Sequence, residues 1–513
     1  MSERIENTRR IAKNTLLLYL RSLFNLFVAL YSSRLVLQAL GVEDYGIYNA
    51  VGGFVSMFWL VTGSLSSAVS RFLTYELGRK NQERIDKVFS LSLNLLLAMA
   101  LVVLVLAETF GVWFLQNKMI IPEGRESAAL WVLRLSVLTV MTGFLIVPYN
   151  ASIISHERMT IFAYLGIGET VIKLCIALFL VYGHYSLDKL ILYALLWTTA
   201  TLIMQGTAIV YCRKNFKECR FRRFFDKSLF KELFSYAGWS FLGSISGTFS
   251  GQGVSVVLNT MFGPIINTAR GLASTVGNTI SIFVNNFTTA IKPQVTKAYA
   301  AGDLDYMKFL VYRGSKFSFY IMFFFALPMC LETVFVMDLW LVEYPEHTIN
   351  FVRISLFTNL LNLLYLFFTM AQQATGDIKR YQIVISVISF LNFPLAYIFL
   401  KVGMSPEIVY VIAAALSVCT IIWTLMTVKK SLNFQFHDIL KDVYSKLLLV
   451  VLSATPVPLV LHCILPYGWM RFLIVGTACV ICSCASIFWL GCNKGEREYI
   501  LNAVQSYLKR FKR

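Results

Sequence analysis

The stretch NTARGLASTVGNTISIFVNNFTTAIK, residues 267–292, decides how the whole chain is interpreted. It is long enough to cross a bilayer, because a spanning helix needs about 20 residues. Steps of three or four residues along it meet polar side chains, and apolar side chains fill most of the other positions. Because hydrocarbon cannot hydrogen-bond such a stripe, the stripe must face protein or a water-filled cavity. Its members are Asn267, Arg270, Ser274, Asn278, Ser281, Asn285, Thr288 and Lys292.

The composition of the 513 residues is that of a membrane protein. Hydrophobic residues make up 57% and charged residues 14% of the chain, whereas soluble domains carry about 25% charged residues. Apolar runs of about 20 residues recur throughout, which predicts an all-α, polytopic membrane protein. We expect fourteen spans, at about 14–39, 46–70, 88–115, 128–154, 160–182, 189–211, 234–259, 265–290, 316–340, 349–371, 381–402, 407–428, 446–465 and 470–491.

The distribution of lysine and arginine predicts the orientation of these spans. With both termini in the cytoplasm, 35 of the 46 basic residues fall on the inner side, five on the outer side and six within spans. Cytoplasmic loops carry such an excess in helical membrane proteins. The net charge of +18 is therefore a topology signal, and we expect no nucleic-acid partner. A bacterial inner-membrane location is implied by the family resemblance described below, and not by this charge distribution.

The two halves of the chain look like copies of each other. Four short motifs recur in the same order at offsets of 219 to 224 residues, which indicates a duplication. Because each copy has six spans, the copies keep the same orientation, as in parallel-repeat transporters. The matched pairs are Leu40-Gly41 with Phe262-Gly263, Tyr75–Gly78 with Tyr299–Gly302, Glu108-Thr109 with Glu332-Thr333, and Arg134–Ser136 with Arg353–Ser355.

Five regions follow from this division of the chain. Residues 1–211 form an amino-terminal six-helix lobe, 212–233 a basic cytoplasmic linker, and 234–428 a carboxy-terminal six-helix lobe. Residues 446–491 form an extra helix pair outside the repeat. The tail, 494–513, is basic and amphipathic, which predicts a helix on the inner membrane surface.

Catalytic, metal and cofactor sites find little support in the sequence. The outer loops are short, and the chain lacks a G-x-x-x-x-G-K-[ST] phosphate loop. The five histidines are scattered, and most of the ten cysteines lie in apolar runs as small apolar residues. We expect no catalytic residue, no metal and no cofactor, and therefore a transporter.

Buried cations give the best evidence of a transport function. Arg21 and Asn25 share one face of the first span, with Arg34 nearer its outer end, and Arg270 lies on the polar stripe. Arginine binds phosphate through a planar fork, while asparagine and serine offer partners for sugar hydroxyls. The alternative for Arg21 and Arg34 is that they reach opposite membrane surfaces with their long side chains. We expect the substrate-binding residues to be Arg21, Asn25, Arg34, Arg270, Asn278, Asn285 and Lys292.

Glu169 and Lys173 lie one helical turn apart in the fifth span. Such residues can form a structural ion pair. A carboxylate at this depth can also be a proton or sodium coupling site, and the sequence leaves both interpretations open.

Three segments resemble a known family of transporters. They read LYLRSLFNLFVALYSSRLVLQALGVEDYGIYNAVGG, FSYAGWSFLGSISGTFSGQG and LNTMFGPIINTARGLASTVGNTISIFVNNFTTAIKPQVTKAYAAGD. They are similar to the O-antigen and lipid-linked oligosaccharide flippases, the polysaccharide branch of the multidrug/oligosaccharidyl-lipid/polysaccharide exporter superfamily. The resemblance implies two six-helix bundles around a central cavity. By matching motifs it assigns the diphosphate-binding role to Arg34 and Arg270.

This resemblance implies a function and its partners. The expected substrate is a polyprenyl-diphosphate-linked oligosaccharide, such as an O-antigen, capsule or exopolysaccharide unit, moved from the inner to the outer leaflet by alternating access. Expected partners are membrane lipids, a polysaccharide polymerase and glycosyltransferases. Two alternatives stay open: a cation-coupled multidrug exporter of the same fold, and a membrane-embedded polysaccharide polymerase or acyltransferase.

Overall fold

A computed structural model gives the architecture of the chain. It describes residues 2–56, 58–117, 121, 124–183, 186–220, 225–341, 343–498 and 501, without the side chains of 2–13 and of nineteen further residues in α1, α2 and α8. The nineteen are 26, 27, 29, 30, 33, 34, 37, 42, 43, 46, 49, 50, 53, 54, 56, 60, 61, 264 and 267. The described chain is a series of helices joined by short connections.

Seven helices precede the middle of the chain. They are α1 (Ser2–Ser56), α2 (Trp59–Gly78), α3 (Gln82–Leu106), α4 (Val112–Asn117), α5 (Glu126–Ser155), α6 (Met159–Tyr182) and α7 (Lys189–Asn215), with a π-helical turn, Ala107–Gly111, between α3 and α4.

The next helix, α8 (Lys227–Ala300), contains two predicted spans, and a single glycine separates them. Gly263 has φ 81° and ψ −178° inside α8, and Gly41 has φ 78° and ψ 173° inside α1. This backbone conformation is essentially restricted to glycine. The two breaks are the Gly41 and Gly263 of the predicted repeat, so equivalent positions in the two copies share an unusual conformation.

The remaining helices are α9 (Leu304–Leu331), α10 (Thr333–Trp340), α11 (Thr348–Thr375), α12 (Lys379–Lys401), α13 (Ile408–Leu432), α14 (Phe436–Ile439), α15 (Ser445–Ala454), α16 (Pro456–Ile464) and α17 (Trp469–Ser486). π-Helical turns, Leu440–Tyr444 and Ile487–Gly491, lie before α15 and after α17. Within the described residues the fourteen predicted spans fall on these helices, and ten helices are long and apolar enough to cross a membrane. The other four predicted spans lie in α1, α2 and α8, which carry the arginines and amides singled out above.

The described chain forms two compact units. Unit 1 contains residues 1–245 and 289–303, and unit 2 contains 246–288 and 304–513. The end of α8 therefore belongs to unit 1, where Gln294 and Lys297 donate hydrogen bonds of 2.5 and 2.7 Å to the buried Glu157 carboxylate. The repeat, the linker boundaries and the central cavity stay predictions.

The core of unit 1 packs α1 against α6 and α7. Leu35, Val36 and Leu40 of α1 meet Ala177 and Leu180 of α6 in one buried cluster. At the adjoining helix ends, the Arg125 guanidinium donates to Asp44 at 2.8 Å and to Asp188 at 2.5 Å. The Asp188 carboxylate also accepts from the first backbone N–H groups of α7, so this residue begins α7 as an N-cap.

In unit 2 the apolar side of α8 packs into a core with α9 and α11. Ala269, Ala273 and Val284 lie in this cluster with Phe351 and Leu356. The apolar residues of the stretch 267–292 are therefore buried against neighbouring helices, as expected for an amphipathic helix.

The extra helix pair packs against α9 in the same unit. Val450, Val475 and Cys479 share a buried cluster with Phe319 and Phe323 of α9. Cys479 is thus a small core residue. Of the predicted tail helix, residues 494–498 and 501 are helical, and the rest lies outside the described residues.

Candidate substrate-binding site

Arg21 lies on the side of α1 that faces α6. Its guanidinium carbon is 4.8 Å from the centre of the Phe162 ring, and its side chain packs over Gly166. A larger residue at Gly166 would displace the arginine, since a Cβ there would approach the Arg21 Cδ to 2.7 Å. The Arg21 Nε is buried without a hydrogen-bond partner among the described residues. Burial of a charged donor without a partner is costly, and this is typical of a site that awaits a ligand.

Asn25 lies one turn further along the same face of α1. Its Oδ1 accepts a 2.8 Å hydrogen bond from Thr170 of α6. The neighbouring Glu169 forms an ion pair of 2.6 Å with Lys173. The Glu169 carboxylate is also close enough to act electrostatically on Arg21.

The structure therefore brings two separately predicted groups together in unit 1. The substrate-binding candidates Arg21 and Asn25 lie next to the coupling candidates Glu169 and Lys173, across the contact of α1 with α6. This cluster carries two cations and one carboxylate, so it has a net positive charge at membrane depth. Sequence reasoning did not join the groups because some 145 residues separate Asn25 from Thr170.

Arg270 occupies a different environment, in unit 2. Its Nη2 donates a 2.9 Å hydrogen bond to the Gly251 carbonyl, and its Nη1 donates to the Ser255 hydroxyl. Both partners precede the break at Gly263, so Arg270 joins the two arms of α8. The guanidinium has five N–H donors, of which these bonds use two. Arg270 thus has a structural role and keeps donors for an anion.

The remaining members of the polar stripe lie on the uncovered side of α8. Ser274, Asn278 and Asn285 are exposed, and Lys292 is half-buried. The side chains of Asn267 and of the predicted site residue Arg34 lie outside the described residues. The structure places Arg21, Asn25 and Lys292 in unit 1, and Arg270, Asn278 and Asn285 in unit 2.

Among the described residues, each of the three acids that the sequence places at membrane depth has a basic partner. Glu169 pairs with Lys173, and Glu108 pairs with Arg134 at 3.2 Å. Glu332 accepts from both His462 and Arg471 of the extra helix pair. By contrast, no described carboxylate lies within ion-pair distance of Arg21, Arg270 or Lys292.

Arg134 and Arg353, which the sequence places at matching positions of the two copies, hold matching helix ends. Arg134 bonds to Glu108, between α5 and the end of α3. The Arg353 Nε donates at 3.0 Å to the Cys330 carbonyl and at 3.3 Å to the Thr333 hydroxyl, between α11 and the end of α9. A cation at a helix carboxyl end is stabilised by the unpaired carbonyls there.

Among the described residues, no group of three or more His, Cys, Asp or Glu side chains is placed to hold a metal ion.

Comparison with known proteins extends this description. A family model described as "Polysaccharide biosynthesis protein" matches residues 11–298. The chain is 22% identical over 501 residues to the uncharacterized membrane protein EpsK of Bacillus subtilis (strain 168), covering 93% of this chain and 95% of EpsK.

Solved structures of transporters share the fold. A point mutant of a MATE protein superposes with a TM-score of 0.71 at 13% identity, covering 82% of this chain and 97% of the other. A MOP-superfamily transporter from Pyrococcus furiosus, described by the reverse polarity of its binding pocket, gives a TM-score of 0.69 at 12% identity over 83% of this chain and 97% of its own. At these identities the likeness concerns the fold alone. The predicted all-α, polytopic fold is confirmed, and it is the fold of these solved transporters.

Proposed function

The chain belongs to the polysaccharide biosynthesis protein family, and on that premise we propose that it is a flippase for a polyprenyl-diphosphate-linked oligosaccharide. It would move this lipid from the inner to the outer leaflet of the inner membrane by alternating access, with both termini in the cytoplasm. O-antigen, capsule and exopolysaccharide units are all substrates of this class.

One observation carries the proposal. Arg21 is a half-buried cation at membrane depth whose Nε has no described partner, and the nearest acid, Glu169, is already paired with Lys173. A diphosphate supplies the negative charge that such a site lacks, and arginine binds phosphate oxygens through charge-assisted hydrogen bonds. Asn25 and Thr170 add neutral hydrogen-bonding groups at the same place.

A lined path is what this substrate needs. A sugar headgroup crossing hydrocarbon unaided loses several kcal/mol of hydration for each polar group. Arg270, Lys292 and the exposed amides of α8 provide further polar positions for the headgroup. The lipid tail can stay in the bilayer throughout.

The alternative of a cation-coupled drug exporter draws support from the shared fold with MATE proteins. An exporter of cations needs an acidic site, however, and Glu108, Glu169 and Glu332 are each neutralised by a basic partner. A drug-sensitivity panel of a strain lacking the gene tests this alternative, which requires increased sensitivity to cationic drugs.

The proposal is tested by reconstitution in liposomes. A fluorescent polyprenyl-diphosphate sugar is followed as it becomes accessible, or inaccessible, to a membrane-impermeant reagent. Arg21→Gln should lower the flipping rate at least tenfold, since a hydrogen bond to a charged group contributes about 1.5–3 kcal/mol. Arg134→Gln is the matched control, because Arg134 lies on a membrane helix but is paired with Glu108, and it should change the rate less than twofold.

Three results would contradict the proposal. They are flipping by Arg21→Gln at the wild-type rate, flipping in liposomes without protein at the same rate, and a changed covalent structure of the lipid in mass spectra. The third result would favour the polymerase or acyltransferase alternative.

A further inference from the structure

Unit 1 contains a cavity that the cationic cluster does not account for. It has a volume of about 130 Å³ and lies where α1, α2, α5 and α7 meet. Three aromatic residues and three hydroxyl residues line much of it, and it is partly open to the surface. These residues are Tyr48, Trp59, Ser136, Thr139, Trp197 and Thr198.

The cavity has room to enclose about one ring. Drug-sized molecules occupy pockets of about 300–1,000 Å³, whereas an apolar cavity of about 150 Å³ is known to bind benzene. One six-membered ring is therefore the appropriate scale for this cavity. A multi-ring drug or a whole oligosaccharide is too large.

The chemistry of the lining fits a sugar ring better than an apolar one. A pyranose has apolar C–H faces and a rim of hydroxyl groups, so it needs flat apolar walls together with hydrogen-bonding groups. Trp59 and Trp197 supply such walls. Their indole N–H groups and the Ser136 hydroxyl make no hydrogen bond to any described residue.

The other two hydroxyl groups are already fixed in place. The Thr139 and Thr198 hydroxyl oxygens are 3.3 Å apart. The Leu135 carbonyl oxygen lies within hydrogen-bond distance of both hydroxyl groups, at 3.0 Å from Thr139 and 3.3 Å from Thr198. One side of the cavity is thus rigid and the other side keeps free donors. Rigid walls with a few uncommitted polar groups are typical of small-molecule sites.

Trp197 connects the cavity to the cationic cluster. The Lys173 ammonium lies 4.1 Å from the centre of its ring. Lys173 is seven residues along α6 from Gly166, over which Arg21 packs, which corresponds to about 10 Å of helix. A diphosphate between these two cations would hold its attached sugar beside Trp197.

We propose that this cavity is a subsite for the sugar residue bonded directly to the diphosphate. The inference rests on the proposed flippase function. It assigns recognition of the first sugar to α1, α2, α5 and α7 of unit 1. The later sugars of the oligosaccharide do not bind in this cavity.

Binding measurements on the full-length protein in lipid nanodiscs test the subsite. The probes are the methyl pyranosides of glucose, galactose, N-acetylglucosamine and N-acetylgalactosamine, followed by saturation-transfer NMR. The wild-type protein should bind at least one of them, and Trp197→Ala and Trp59→Ala should each weaken that binding tenfold or more. Trp197→Phe, which keeps a ring but loses the N–H donor, should give an intermediate effect.

Trp131→Ala is the matched control, since Trp131 lies on α5 but is 50% exposed and outside the cavity. It should bind the glycoside as the wild type does. Wild-type protein that binds none of the four glycosides would overturn the subsite, as would wild-type binding by both Trp197→Ala and Trp59→Ala. Farnesyl diphosphate, which carries no sugar, is measured separately: if it fails to bind the wild type, the flippase proposal fails, whatever the glycosides do.

Discussion

Glu108 and Glu332 hold matching places in the two predicted copies but have different partners. Glu108 is 42% exposed and pairs with Arg134 of its own copy. Glu332 is 1% exposed and accepts hydrogen bonds from His462 and Arg471, which belong to the extra helix pair. Arg353, the counterpart of Arg134, bonds instead to Cys330 and Thr333. Glu332 thus bonds to the extra helix pair, whereas Glu108 bonds to the residue that the predicted repeat matches with Arg353.

This difference predicts unequal effects of one substitution at the two places. Glu332→Gln should destabilise the protein by about 3 kcal/mol, because it leaves Arg471, whose side chain is only 12% exposed, without its counter-charge. Glu108→Gln should cost no more than about 1 kcal/mol. Both side chains of the Glu108–Arg134 ion pair are nearly half exposed, and exposed ion pairs contribute little to stability. Thermal unfolding in detergent measures both. Equal losses for the two variants would contradict the difference in burial.

Glu407, which precedes α13, gives a prediction about pH. Burial alone would raise the pKa of its carboxyl group, but hydrogen bonds from His347 and Asn350 outweigh burial and lower that pKa to about 2. The bonded atoms of His347 and Glu407 lie 2.6 Å apart. Because this pKa is lower in the folded protein than its ordinary value of 4.5, the ionised Glu407 carboxylate stabilises the folded state at pH values above 4.5. This contribution is lost as the pH falls toward 2.

The stability difference between wild type and Glu407→Gln should therefore be largest above about pH 5 and shrink below pH 4.5. Unfolding temperatures measured from pH 6 to pH 3 check this. Glu346→Gln is the control, because Glu346 is an exposed acid beside His347. A difference that stays constant over this range would exclude the Glu407 carboxylate as its source.

At the scale of elements, the backbone breaks at Gly41 and Gly263 set the ends of four spans. In neither case would a Cβ atom meet an atom of a described residue within 4 Å, so the requirement for glycine comes from the backbone conformation. Pro264 follows one break, and proline is favoured at the first position of a new helix. Alanine at either glycine would adopt a conformation that costs about 1–3 kcal/mol.

Gly41→Ala and Gly263→Ala should each lower the free energy of unfolding by that amount. Gly271→Ala is the matched control, since Gly271 is a helical glycine of α8 with open space around its Cβ position. It should be neutral or stabilising by up to about 1 kcal/mol. Thermal unfolding of the three variants makes the comparison. If Gly271→Ala were as damaging as the other two, backbone conformation would not be the cause.

The sequence predicts the elements better than it predicts their contacts. Hydropathy locates the spans because a bilayer requires long apolar helices, and the repeat marks Gly41 and Gly263 as equivalent. The hydrogen bonds of Arg270 to Gly251 and Ser255 were not predicted. Their geometry depends on how the two arms of α8 fold back at Gly263, which residue spacing along one helix does not encode.

At the scale of the whole molecule, the main prediction is the orientation of the chain in the membrane, which accessibility labelling can test. Ser405 lies in a predicted outer connection and Lys214 in a predicted inner segment, and both are exposed. In a cysteine-free background, Ser405→Cys should react with an impermeant thiol reagent in intact cells. Lys214→Cys should react only after the membrane is permeabilised. All ten native cysteines are replaced first, because four of them are exposed and would react: Cys175, Cys419, Cys463 and Cys484.

The opposite labelling pattern would invert the topology and place the basic loops outside. Labelling of both positions in intact cells would contradict a single orientation. The excess of basic residues in the predicted inner segments is the physical reason for the expected result.

The candidate site was only partly predictable from the sequence. Arg21, Asn25, Glu169 and Lys173 could be found individually, because charged and amide groups inside apolar runs are conspicuous. The aromatic cavity could not. Its residues come from four helices and are ordinary in each, so only the packing of α1, α2, α5 and α7 reveals them.

The bonds of Glu332 to His462 and Arg471 also bear on the history of the protein. A chain that stops after α13 would lose both basic partners of this acid, so we expect such a truncation to be unfavourable while position 332 keeps its charge. A neutral residue at position 332 would have to come first. Shorter relatives should therefore carry an uncharged side chain at the position of Glu332. A shorter relative that keeps the acid should have a different basic residue paired with it.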